Sequence, residues 1–191
     1  MSEPQEKREN APRFYHFWRR EDQQALTDWW QWLEDNRGER ARLRRCDTPG
    51  EILPQSAFHR LCRKLPWWEQ HDVMGLAVIA GLLSHVAERN ALPLPAQMGQ
   101  CREGGDKPTL SELRFQQLIS SKDYDELFER MRRAVDLLGR SANILSLADG
   151  ALHWSKDRRD RYSEQPSHRF HYRWSKAYFN EVFKYQKETT S

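Results

Sequence analysis

The sequence predicts an all-α fold of seven to eight helices in two small packed helical bundles. Three observations carry that expectation. Apolar residues recur at helical spacing through most of the chain, as at Ala25, Trp29 and Trp32, and again at Leu127, Met131, Val135 and Leu138. No stretch sustains the alternation of a strand, and no Asn-Gly hairpin signal occurs. The 191 residues include 8 Trp, 6 Tyr and 8 Phe, large core-forming side chains in which disordered chains are poor.

Residues 1–20 read as a flexible N-terminal tail, polar at first and carrying Pro4 and Pro12. An N-terminal bundle is expected over 21–89. In its first helix a second stripe, Leu26, Trp30 and Leu33, lies beside the first, and the broad face reads as core packing rather than a stacking platform for bases. Helix-friendly residues continue through Arg37 to Arg45, and Asp47-Thr48-Pro49-Gly50 ends the run. Phe58, Leu61, Cys62 and Leu65 then share a stripe, with Arg60, Arg63 and Lys64 elsewhere on that helix. The stretch from Val73 to Leu83 is apolar nearly all round, which predicts the most buried helix. Gly75 and Gly81 inside it suggest close helix–helix approach, since each otherwise costs helix propensity.

Residues 90–108, with three prolines and three glycines, read as a linker or loop between the bundles. The C-terminal bundle is expected over 109–185. Thr109-x-x-Glu112 has the form of a capping box. Breaks at Ser120 to Asp123 and at Ser141 to Asn143 bracket a helix over 125–140. Further helices are expected from Ile144 to Lys156 and from Arg169 to Tyr185, with a polar loop over 157–167.

The net charge is only +3, from 31 Lys+Arg against 28 Asp+Glu. Resolved along the chain it is segregated. Residues 37–64 carry eight cations and three acids, and residues 154–191 carry nine and five. Arg outnumbers Lys 23 to 8, and Arg is the side chain for bidentate contact with phosphate or carboxylate. One cluster comprises Arg40, Arg42, Arg44 and Arg45; another comprises Arg158, Arg159, Arg161, Arg169 and Arg173. Such patches bind polyanions by releasing counterions. In the 125–140 helix, Glu126–Arg130 and Glu129–Arg133 are i,i+4 pairs, so those arginines read as weak surface salt bridges. Arg42, Arg44 and Arg45 have only Glu39 nearby, which makes 40–45 the strongest charge signal.

Several function classes lack their signatures. No HExxH, Walker A, GxSxG or GxGxxG is present, so no enzyme is expected, and neither is a cofactor. Cys46, Cys62 and Cys101 form no CxxC pair and suggest no metal site. The longest apolar run, 11 residues, is about half a membrane span, and the acidic N-terminus has no signal-peptide core; a cytoplasmic protein is expected. A clear helix-turn-helix is missing, which argues against a DNA-binding regulator.

The order Arg40-Ala41-Arg42-Leu43-Arg44-Arg45, then Ala57 to Leu61, resembles the N-terminal half of the CasB family, the small subunit of the type I-E CRISPR surveillance complex, Cascade. Ser111 to Ile119, Asp123 to Leu127, Met131-Arg132-Arg133, Asn143 to Lys156 and Arg173 to Phe179 resemble its second half. The resemblance implies a non-catalytic subunit, present as two copies packed head to tail. Its implied partners are the backbone and large subunits, with crRNA and target DNA. It implies that Arg44, Arg45, Arg132, Arg133, Arg158 and Arg159, with Arg114, steady the strands of an R-loop. The charge clusters add Arg40, Arg42 and Arg173 to that nucleic-acid-binding set. An assembly subunit that binds protein alone, or a helical DNA-binding regulator, is the alternative.

Overall fold

The computed structural model describes residues 14–101, 105, 107–159 and 164–188. Arg161 and the first 13 residues of the expected tail lie outside them. The described residues form ten α-helices and one two-residue parallel strand pair, in keeping with the all-α expectation. In order these are α1 (Arg20–Asp35), α2 (Arg37–Arg44), α3 (Pro49–Ile52), α4 (Ser56–Lys64), α5 (Pro66–His85), β1 (Glu88–Arg89) and α6 (Leu94–Gly99). Then follow α7 (Glu112–Ile119), α8 (Tyr124–Leu137), β2 (Ser141–Ala142), α9 (Ile144–Arg159) and α10 (Phe170–Glu188), with a 3₁₀ turn at Pro166–His168 before the last.

α1 buries Leu26, Trp29, Trp30 and Leu33 and leaves Trp32 half-buried. Its acids Glu21 and Asp22 sit in the first turn, where the helix dipole favours them. The helix ends at Asn36, which leaves helical geometry while its side-chain amide donates to the Trp32 carbonyl at 2.7 Å. The basic run after it is therefore a separate helix, α2, and not a continuation.

α5 is the central helix. α2, α3 and α4 pack on it, and so do α8 and α9 from the C-terminal half. Every residue from Gly75 to His85 is buried. The helix breaks at Asp72, whose Oδ1 accepts the Gly75 N–H at 2.9 Å and so caps the second stretch. The carboxylate lies where a Cβ on residue 75 would sit. At Gly81 an added Cβ would come within 2.4 Å of Ile52 and 2.5 Å of Phe128. The close approach expected of this glycine admits both α3 and α8.

One buried cluster runs through the helices before and after 90–108. Within that segment, read from sequence as a linker or loop, the chain forms α6, buried throughout and packed on α10. Pro95 stands in its first turn, where the missing N–H has no helical partner to lose and the fixed φ suits the helix. The Thr109 capping box does not form. α7 begins at Glu112, and the Thr109 hydroxyl instead donates to the Gln100 carbonyl at 2.8 Å. α8 is capped by Asp123, which accepts the Glu126 N–H at 2.8 Å. It ends in a Schellman turn: Gly139 and Arg140 have positive φ, Arg140 N–H bonds the Val135 carbonyl and Gly139 N–H that of Asp136. β2 then pairs with β1.

Parts of two segments read from sequence as a tail and a polar loop are packed against helices. Residues 14–19, assigned to the flexible tail, dock on α9: the His16 and Phe17 N–H groups both donate to Asp149, and Phe17 is fully buried. The apolar ring outweighs the polar character of its surroundings. α9 runs to Arg159, three residues beyond the expected end, and buried Asp157 accepts the Phe170 N–H at 2.6 Å at the start of α10.

Candidate nucleic-acid interface

The expected arginines do not share one environment. Arg40 is buried: it pairs with Glu34 and donates to the Ser84 carbonyl at 2.8 Å and to that of Val86. Arg44 donates to the same Ser84 carbonyl at 2.7 Å. These two guanidiniums satisfy carbonyls at the C-terminus of α5, where the dipole favours cations. Arg40 is thus a structural cation enclosed by the fold, a correction to its place in the sequence-based binding set. Arg42 pairs with Glu39 at 3.0 Å, while Arg45 is exposed and its side chain has no ion pair among the described residues.

Beside α2, cations far apart in sequence converge. Arg132 on α8 pairs with Asp47 at 3.2 Å, which brings it to the segment following α2. Arg140 pairs with Asp136 at 3.3 Å. Burial first, and then Arg132, Arg44 and Arg140, hold the His85 imidazole down to about 4 against the opposing pull of Asp136. Burial likewise lowers Arg44, with Arg40 and Arg140 adding repulsion. Arg44 and Arg132, far apart in sequence, therefore meet around His85.

Arg133 faces elsewhere. It pairs with Glu129, and Arg130 pairs with Glu126 at 3.1 Å, as the i,i+4 spacing predicts. With exposed Arg114 these two line a groove of about 560 Å³ between α7 and α8. A third group lies at the end of α9. Arg158 stands over the Trp154 ring at 5.3 Å. Arg159 pairs with buried Asp72 at 3.4 Å and also donates to the His71 carbonyl. Arg173 lies 5.0 Å from the Tyr15 ring centroid.

One cationic surface lies outside the expected set. Arg60, Arg63 and Lys64 on α4 are exposed and make no ion pair among the described residues. With His59 and Trp32 they line a groove of about 740 Å³, and Arg60 lies 4.4 Å from the Trp32 ring centroid. The only acid in that lining, Glu39, is engaged by Arg42 and Ser56. The sequence signal was there: no acid occurs between Glu51 and Glu69.

Among the described residues no group of three or more His, Cys, Asp or Glu side chains could hold a metal ion. Burial pushes the Cys62 thiol up to about 11, away from the reactive thiolate. No helix of the described residues is long and apolar enough to cross a membrane.

The fold and these surfaces define an all-α protein whose cations gather in several distinct patches. The model of the family "CRISPR-associated protein Cse2" matches residues 39–179, 141 of the 191, and the chain belongs to that family. Cse2, also called CasB, is the small subunit of type I-E Cascade in CRISPR defence. Comparisons with curated proteins and with solved structures give no significant match.

Proposed function

We propose that this chain is a non-catalytic, cytoplasmic Cascade subunit that steadies a crRNA-guided R-loop by sequence-independent contacts to nucleic-acid backbones. Its partners in this reading are the backbone and large subunits, a second copy of itself, crRNA and target DNA. Base pairing reads sequence in such systems, while protein contacts to the backbones tip a nearly balanced strand exchange. The observation that carries the proposal is the gathering of cations at the end of α5: Arg44 donates to Ser84, Arg132 pairs with Asp47 just after α2, the Arg140 carbonyl accepts from Ala87, and Arg45 is exposed. Surface pairs such as Arg132–Asp47, whose aspartate is largely exposed, are weak enough for a phosphate to displace. The groups holding Arg114 and Arg133, and Arg158, Arg159 and Arg173, extend the same reading. Arg42 stays in the proposed set as an exposed member, and Arg40 leaves it.

The test is the salt dependence of DNA binding. Replacing Arg45 and Arg132 together by Ala is expected to weaken binding uniformly across sequences. It should reduce the slope of log K against log salt by about one for each lost phosphate contact. An unchanged slope and affinity in the double variant would remove this patch from the proposal. A protein-binding role is favoured by exposed Leu113 and Phe183, apolar side chains that a partner would cover. Loss of assembly with intact DNA binding in variants of those two residues would support it.

A further inference from the structure

We infer that the surface formed by Trp18, Arg19 and Trp67 is a stacking site for the unpaired bases of a nucleic-acid strand. This rests on the basic-surface reading above and names the form of ligand that one part of it takes.

Trp18 is 65% exposed and Trp67 45%, whereas the other six tryptophans are buried or half-buried. Leaving two such rings in water forfeits burial that the fold obtains from the rest. The Arg19 guanidinium lies 5.4 Å from the Trp18 ring centroid and 5.8 Å from that of Trp67. Trp67 in turn stacks on His71, with centroids 4.1 Å apart and 15° between planes. Four consecutive π surfaces therefore run across one region. Their base is fixed by Trp68, which is buried, stacks on Phe17 and donates to Asp22 at 3.1 Å.

This region adjoins the third basic group. Trp18, Arg19 and Trp67 line a recess of about 330 Å³ that also contains Lys156. Arg159 reaches the carbonyl of His71. The acid in the recess, Asp22, is held by Trp68. Flat rings interleaved with cations fit a ligand that is both π-faced and anionic. Single-stranded nucleic acid has those properties, because every unpaired base offers a face and every link a phosphate. A duplex hides its base faces. A protein partner would also favour Trp and Arg, but fits Lys156 in the recess less well, since protein interfaces are depleted of lysine.

The test needs no variant at first. The full chain is titrated with an oligonucleotide, with an abasic strand of equal length and charge, and with a duplex, in deoxyribose and ribose forms. The base-bearing strand is expected to bind about 10-fold tighter than the abasic one, within the range for one stacked base. Either sugar showing that preference supports the site, and the stronger one identifies the strand. Trp18→Ala/Trp67→Ala should abolish the preference and leave the salt slope unchanged, because no cation is removed. Equal binding of base-bearing and abasic strands by the unaltered chain overturns the proposal. So does a preference that survives in the double variant. A double variant that keeps the preference but no longer assembles with partner chains overturns it in favour of a protein-docking surface. The basic-surface reading fails separately, by a salt slope near zero for every strand.

Discussion

α2 and α4 are short, arginine-rich helices of the same charged zone, yet their cations do different things. On α2, Arg40 and Arg44 turn inward onto the Ser84 carbonyl, and Arg40 also takes Val86 and Glu34. On α4, Arg60, Arg63 and Lys64 stay at the surface with no acid beside them except the already engaged Glu39. The difference lies in what each helix packs against. α2 meets the C-terminus of α5, whose last carbonyls need donors. α4 buries only its apolar stripe, Ala57, Phe58, Leu61 and Cys62, and turns its cations to solvent. Charge density along a sequence therefore does not locate a binding face. The acceptors that the fold brings to it decide.

The sharpest way to break this contrast is Arg40→Ala. It leaves Glu34 without its cation and the Val86 carbonyl without its side-chain donor, while Ser84 keeps Arg44, and breaking such an arrangement costs about 3 kcal/mol. Denaturant unfolding should show that loss as a lower midpoint with the same slope. Arg40→Lys should recover only part of it, because an ammonium lacks the fork that reaches both carbonyls. A change within about 0.5 kcal/mol would make Arg40 an ordinary surface residue, contrary to its structural assignment.

Acid should weaken the α2 side through His85, and the docked N-terminal segment and α9 through His16 and His153. Burial holds His85 down to about 4 and His16 to about 3, and it lowers His153 as well. Above the ordinary histidine value of 6.5, folded and unfolded chains are both neutral at these sites. Below it the unfolded chain takes up protons that the fold refuses. Stability therefore falls as pH drops from 6.5, until about pH 4 for His85 and about pH 3 for His16. Each histidine contributes up to about 1.4 kcal/mol per pH unit in that window. The buried His85 Nε2 has no hydrogen-bond partner, so His85→Gln should flatten the unfolding profile by one proton's share. An unaltered profile would mean that His85 already protonates in the fold.

Much of the fold was legible because the relevant forces are local. The stripes of α1 and the all-round apolar run of α5 report burial directly, and both are where periodicity places them. The Glu126–Arg130 and Glu129–Arg133 pairs were readable because both partners lie on one helix. What was not legible depends on distant partners. Nothing near Arg40 announces that the Ser84 and Val86 carbonyls will accept from it, because a backbone acceptor carries no residue-type signature. α6 was hidden by Pro93 and Pro95, which mark loops in general, although Pro95 suits the helix's first turn. The docking of residues 14–19 depends on Asp149, more than 130 positions away. The α4 surface is the opposite case: its unopposed cations are countable in the sequence, but the run at 40–45 is denser.

The smallest expected effect on stability gives the most direct test of the α4 side. Replacing Arg60, Arg63 and Lys64 together by Ala removes three exposed cations that make no ion pair among the described residues. Unfolding free energy should stay within about 0.5 kcal/mol for each of these surface changes. The cost that remains is the stacking of Arg60 on Trp32, about 0.5–1 kcal/mol at an exposed site. Removing three cations should nevertheless weaken polyanion binding at low salt, with the slope shallower by about one for each phosphate that α4 had neutralised. If instead the triple variant unfolds as readily as Arg40→Ala, the α4 cations are structural too, and the two helices do not differ. If stability and slope both stay the same, the open charges of α4 face no polyanion, and the binding surface narrows to the groups around His85, the α7–α8 groove and the end of α9.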